Sequence, residues 1–148
     1  MHHIFVDFEM NHIAGQYTEE RTYSKMEIVE IGAVMLDERY HEISSFQTYV
    51  RPEYNDKIEK QCTKVTGITT ETVADAPVLW TALQQFVQWC GSESLTVYAW
   101  SDSDLKQLKR ELNLKEIECK ELHRLCDHWE DFQRTFCDLL GIEKRVAL

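Results

Sequence analysis

The sequence predicts an α/β fold in which a mixed sheet is flanked by helices, and three observations carry that prediction. Three segments rich in β-branched and aromatic residues follow one another within the first fifty positions, the first two parted by a polar loop and the last two by a short polar gap. Helical periodicity takes over from about residue 58. One more apolar strand segment then stands between two helical runs, giving the order β-β-β-α-β-α-β-α.

Each element has its own reason. In His3 to Phe8 (HIFVDF), Ile4, Val6 and Phe8 share one face, leaving Asp7 and Glu9 on the other. Asn11 to Lys25 is polar and reads as an irregular loop. Met26 to Leu36 (MEIVEIGAVML) is apolar at nearly every position, as in a strand covered on both sides. Ile43 to Val50 alternates and closes on Arg51-Pro52, and the short gap before it favours an antiparallel meander. Ile58 to Val65 suits a short helix ending near Gly67, with a loop from Thr69 to Pro77. Leu79, Leu83, Phe86, Val87 and Cys90 recur at helical spacing, and Gly91 is a natural stop. Leu95 to Trp100 is the fourth strand, and Ser101-Asp102 leads into a helix carrying Leu105, Leu108 and Leu112. A short fifth strand is expected at Leu122 to Cys126, followed by a helix from Trp129 to Leu140 that Gly141 ends.

A length of 148 residues fits one domain, expected to span 1–148, and 43% hydrophobic with 11% aromatic content supplies a core. The net charge of -10 is the wrong sign for general neutralisation of nucleic-acid phosphates. Carboxylates that gather divalent cations are the exception, because the ions then carry the positive charge. No segment approaches the about 20 apolar residues a membrane span needs. The five scattered cysteines form no CxxC pair, so the expectation is a chain with no membrane partner, cytoplasmic and carrying reduced thiols.

Two residues apart on one strand, Asp7 and Glu9 project from the same face, and two like charges so placed need compensation. A hard divalent ion, Mg²⁺ or Mn²⁺, supplies it; an edge strand with a solvated polar face is the other explanation. A second acidic pair, Asp102 and Asp104, follows the fourth strand at the end where sheets of this kind commonly form sites. An Asp there also serves simply as a helix cap, a role that suits Asp102 better than Asp104.

Together, Asp7-Phe8-Glu9, the apolar second strand with its Glu30-Ile31-Gly32-Ala33-Val34, Tyr49-Val50-Arg51-Pro52, Thr66-Gly67-Ile68-Thr69 with Ala76-Pro77, and Trp100-Ser101-Asp102-Ser103-Asp104-Leu105 resemble the DEDD exonucleases, particularly the Eri/KapD-like branch of the DEDDh group. The resemblance runs in order along nearly the whole chain. It implies an RNase H-like fold, with a five-stranded sheet that is antiparallel over its first three strands and parallel beyond. It also implies metal-dependent 3′-to-5′ exonuclease activity on single-stranded RNA or DNA ends, with release of nucleoside 5′-monophosphates.

By the same resemblance, Asp7, Glu9 and Asp104 are the catalytic and metal-ligating carboxylates. Two ions roughly 3.5–4 Å apart bracket the scissile phosphate in such mechanisms: Asp7 bridges both, Glu9 holds the nucleophile-side ion, and Asp104 acts on the leaving-group side. Met10, Asn11, Ile68 and Trp100 are implied to contact the terminal nucleotide, although a loop packed on its own core explains Ile68 almost as well and Trp100, at a strand end, suits either the core or a stacking platform. The remaining tryptophans sit at helical positions and read as core.

The family's third motif, a histidine followed by an aspartate in an HxAxxD-like arrangement, is not matched. His123 with Asp127 and His128 with Asp131 have the wrong spacing and come too early, while His2, His3, His12 and His41 read as surface or loop residues. The chain is therefore expected either to lack the C-terminal part of the exonuclease domain or to be an inactive relative that binds nucleic-acid ends or partners without cleavage. General-base assistance is typically worth about 10² to 10⁴ in rate, so full activity is not expected without that histidine.

Overall fold

The computed structural model describes residues 1–148. The elements in chain order are β1 (His2–His12), α1 (Glu20–Tyr23), β2 (Met26–Leu36), β3 (Glu42–Tyr49), α2 (Lys60–Thr66), α3 (Thr70–Val73), α4 (Leu79–Cys90), β4 (Leu95–Ala99), α5 (Ser103–Leu114), α6 (Lys120–Asp127), β5 (Trp129–Asp131) and α7 (Phe132–Leu140). They form one five-stranded sheet in the order β3-β2-β1-β4-β5. Its first three strands are antiparallel neighbours, and β4 and β5 run parallel to β1. The expected mixed sheet is found, with β1 at its centre.

The alternation of β1 decides which face becomes the core. Ile4, Val6 and Phe8 point to one side, where they meet Ile31, Ala33 and Met35 of β2 and Val97 of β4. Three helices close that side: α4 through Leu79, Leu83 and Phe86, α5 through Leu108, and α6 through Leu122 and Leu125. Burying each such side chain is worth about 1.5–3 kcal/mol, which makes this layer the main source of stability.

The opposite face is covered only at its ends. At one end Phe132 of α7 packs edge-on against Phe5, with ring centroids 5.5 Å apart. At the other, Ile58, Ile68 and Val73 gather around Val29. Val29 reaches that cluster because the register shifts between Glu9↔Glu30 and Met10↔Ile28, leaving it as an extra residue on β2.

An acid inside the apolar run of β2 is held by a buried network. Glu27 is fully buried and accepts the backbone N–H groups of Glu53 and Tyr54 at 2.9 and 3.0 Å. The Lys115 ammonium lies 3.0 Å from Glu27 and 3.1 Å from Glu111. Glu111 also accepts from Gln107 and from the backbone N–H of Ile28. These contacts tie the end of α5 to β2 and to the segment after β3.

The structure corrects several element boundaries. Leu122 to Cys126 is helical rather than a strand, because Leu122 and Leu125 fall three apart and share one buried stripe. The fifth strand lies instead at Trp129 to Asp131, where parallel pairing with β4 makes a strand of three residues expected to start a helix. β1 runs on to His12, and the segments read as loops contain the short helices α1 and α3. Thr69 caps α3 by accepting the backbone N–H of Thr72, and Gly67 ends α2 at φ 76°, a conformation that favours glycine. No helix is long and apolar enough to cross a membrane, and all five cysteines are unbridged.

Candidate active site

Parallel pairing between β1 and β4 runs only from His2↔Leu95 to Phe5↔Tyr98. β4 then ends and the chain turns into α5, so β1 continues beyond its neighbour. Asp104, in the first turn of α5, takes over there: its Oδ1 accepts the backbone N–H of Phe8 at 3.0 Å. The opening so formed lies at the carboxyl ends of two parallel strands, the usual place for a site in such sheets.

Asp7 and Glu9 flank Phe8 and point to the incompletely covered face. Burial raises the Asp7 carboxyl above its ordinary range. Glu9 is raised first by burial and then by the charges of Asp7, Glu30 and Asp104. Asp104, only 6% exposed, is pushed up to about 6 by burial, with the Phe8 N–H opposing and Asp7 adding to the rise. The three carboxylates therefore feel one another across two elements, and no lysine or arginine contributes to any of these shifts.

Glu30 was not singled out from the sequence. It stands directly opposite Glu9 in the β1–β2 register and accepts from Gln47 at 3.3 Å. Its signal is an acid, one of two with Glu27, within the otherwise apolar second strand. Asp102, by contrast, is paired with Lys106 at 2.6 Å on the surface side of α5.

A set of carboxylate oxygens is the donor chemistry that Mg²⁺ or Mn²⁺ takes, and in that respect the residues fit such an ion. As the side chains stand, no three His, Cys, Asp or Glu groups converge closely enough to enclose one. The protein supplies hard, mutually repelling donors at one strand end rather than a finished coordination shell.

Beside Asp7 lies a cavity of about 700 Å³, lined by Phe5, Gly32, Val34, Phe46, Tyr98, Trp100 and Phe132 among others. Trp100 shares this cavity with Asp7. Its indole N–H donates to the carbonyl of Val146 at 3.0 Å, and its ring packs on Phe136 at 5.4 Å. Met10 is partly buried against the main core. Asn11 is 1% exposed, and both ends of its amide are used: Nδ2 donates to Lys57 O at 3.0 Å and Oδ1 accepts from Glu59 N at 2.9 Å. Ile68 is 2% exposed within the small apolar cluster. The structure thus places Asp7 and Trp100 on one cavity and Glu9 and Asp104 beside Asp7 at the same strand end, while Asn11 and Ile68 are buried and present no free surface there.

No histidine contributes to the shifts of the three carboxylates. His123 pairs with Glu118 at 3.2 Å, His128 lies 2.8 Å from the carbonyl of Arg124, and both are exposed. Asp131 caps α7 through the Arg134 N–H and pairs with Arg145 at 3.4 Å.

Comparison with known proteins bears directly on this geometry. Residues 4–145 match the exonuclease family RNase_T. The chain is 27% identical over 150 residues to ERI1 exoribonuclease 2 of Xenopus laevis, covering 96% of this chain and 19% of that protein. It is 37% identical over 70 residues to 3′-5′ exoribonuclease 1 of Rattus norvegicus, covering 47% and 20% respectively. The chain spans about a fifth of the length of these curated relatives. Among solved structures, the nuclease domain of 3′hExo, described as a DEDDh family member bound to rAMP, superposes with a TM-score of 0.78 at 22% identity, covering 95% of this chain and 70% of that one. Cell-death related nuclease 4 superposes at 0.77 with 21% identity, covering 99% and 51%. With an RNase H-like sheet and a family match along nearly its whole length, the chain belongs to the exonuclease family RNase_T.

Proposed function

We propose that this chain carries a divalent-metal-dependent 3′-to-5′ exonuclease site, acting on the 3′ ends of single-stranded RNA or DNA and releasing nucleoside 5′-monophosphates. The observation that carries the reading is the placement of Asp7, Glu9 and Asp104 at one strand end, where the Asp7 charge raises both other carboxyls and no cation is among the groups that shift them. Two bound Mg²⁺ or Mn²⁺ ions would supply an activated water and charge stabilisation at the leaving 3′ oxygen.

The chain's own groups have distinct roles in that reading. Asp7 and Glu9, on one face of β1, supply the oxygens that hold the ions. Asp104 is oriented by the Phe8 N–H, which donates to its Oδ1. Trp100, fixed through its N–H to Val146, lines the cavity beside Asp7 and offers a ring face for a terminal base. Met10 borders the same strand end, whereas Asn11 and Ile68 act by holding the α2–α3 segment. An RNA substrate is favoured by the neighbours in structure, since the 3′hExo nuclease domain is described as bound to rAMP and a 3′-exonuclease as recognising a histone mRNA stem-loop by its 3′ end. Five unbridged cysteines agree with a reducing, cytoplasmic setting.

The test is cleavage of 5′-labelled single-stranded RNA and DNA in Mn²⁺, with a chelator and Asp7→Ala as controls. A ladder shortening from the 3′ end and abolished by both controls is the expected result. A second reading, a module that binds nucleic-acid ends without cutting them, is favoured by the absence of a histidine beside the three carboxylates. Metal-dependent binding with no cleavage would select it.

A further inference from the structure

We propose that Lys57, Lys60 and Lys64 form a phosphate track that leads a single nucleic-acid strand to the Asp7–Glu9 end of the sheet; the inference rests on the exonuclease reading above. Three acids beside the scissile position repel a polyanion, and a net charge of -10 extends that repulsion over the molecule. A strand approaching this site therefore needs local positive charge that is not already neutralised.

The segment running into α2 supplies it. Lys60 and Lys64 stand four apart on one side of α2, and Lys57 precedes them in the non-helical segment that runs into it. All three are exposed. None is within ion-pair distance of a carboxylate, whereas Lys106 and Lys115 are both paired.

Their position relative to the site is set by Asn11. That residue lies on the same side of β1 as Asp7 and Glu9, two further along, and its buried amide bonds the backbone at Lys57 and Glu59. The α2 segment is thereby pinned next to Glu9, and the Glu9 charge is felt at Cys62, between Lys60 and Lys64. The acids thus lie between a lysine flank on one side and the aromatic cavity of Trp100 and Phe132 on the other. That order places a strand with its backbone along α2 and its last base in the cavity.

The test is fluorescence anisotropy of a labelled twelve-nucleotide single-stranded RNA, and of the DNA of the same sequence, between 50 and 200 mM salt in Ca²⁺. The protein is compared with K57Q/K60Q/K64Q and with a control of equal charge change elsewhere, K109Q/R110Q/K120Q. At about 0.7 per phosphate contact, the α2 variant is expected to flatten the log–log salt slope by about 2 and the control to leave it unchanged. Equal flattening by both variants, or an unchanged slope in the α2 variant, overturns the track. Tighter binding to anionic lipid vesicles than to either strand, lost in the α2 variant, overturns it in favour of a membrane surface. If the unaltered protein binds no strand at all, the exonuclease reading itself fails, an outcome distinct from an unchanged slope. Circular dichroism of each variant separates loss of binding from loss of fold.

Discussion

Phe8 and Asp104 stand 96 residues apart in sequence and are joined by one hydrogen bond of 3.0 Å, from the backbone of the central strand to the carboxylate of a helix's first turn. That bond fills a ladder position which β4 leaves empty by ending at Ala99. It also brings the third acid to the two on β1, so the site depends on where β4 stops.

Replacing Asp104 by Asn keeps an acceptor for the Phe8 N–H while removing the charge. Asp104→Asn should fold normally and lose Mn²⁺-dependent cleavage, and Asp104→Ala should lose cleavage and some stability, about 1–3 kcal/mol for the orphaned N–H. Thermal melts and cleavage assays on both variants check this. Retained cleavage in Asp104→Asn would remove Asp104 from the mechanism.

The pH dependence of stability follows from the same acids. Asp104, at about 6 in the folded chain against an ordinary 3.8, binds its proton more tightly folded than unfolded, and Asp7 and Glu9 are shifted in the same direction. Their contribution is therefore most favourable at low pH and declines as pH rises from about 4 through about 6. Melting temperatures should show this loss in the unaltered chain, and Asp104→Asn should show a smaller one.

A bound divalent ion should act oppositely, stabilising the ionised acids. Adding Mn²⁺ at tenfold its dissociation constant should raise stability by about 1.4 kcal/mol at pH 7.5. Asp7→Ala, Glu9→Ala and Asp104→Ala should each reduce the effect. Equal Mn²⁺ stabilisation in all three variants would dissolve the proposed ion site.

Access to Asp7 depends on Gly32, its cross-strand partner, which lines the cavity. A Cβ there would meet only the Asp7 carbonyl, at an ordinary 3.9 Å. Gly32→Leu should therefore fold, yet fill the space beside Asp7 and slow cleavage at least tenfold, as read from initial rates on a labelled strand.

The Lys115 network makes a separate prediction about the scaffold. Lys115→Met leaves Glu27 and Glu111, both fully buried, without their cation. Removing one partner of such a group typically costs about 3–5 kcal/mol. Urea unfolding should show a loss of this size, and a triple change that also neutralises Glu27 and Glu111 to Gln should recover part of it.

The first three strands, α4 and the Asp7/Glu9 face were legible in the chain because period and face are local properties: Ile4, Val6 and Phe8 declare the core side, and the acids between them declare the other. The fifth strand was not. Trp129–Glu130–Asp131 has no pattern of its own and is extended because β4 offers it a parallel partner, while Leu122 and Leu125, read within too short a window, hid a helical stripe. Asn11 and Ile68, implied by the resemblance to touch a substrate, are buried instead, because α2 and α3 fold back over β1, a contact that no local pattern encodes.

The sequence by itself therefore determined the class of fold, the core face of β1 and the acids available for chemistry, since each rests on spacing within a few residues. The tertiary structure decided which acids lie together and which side chains line the cavity beside Asp7. Those relations depend on strand order and on the early end of β4, contacts between residues about a hundred positions apart that no local pattern encodes.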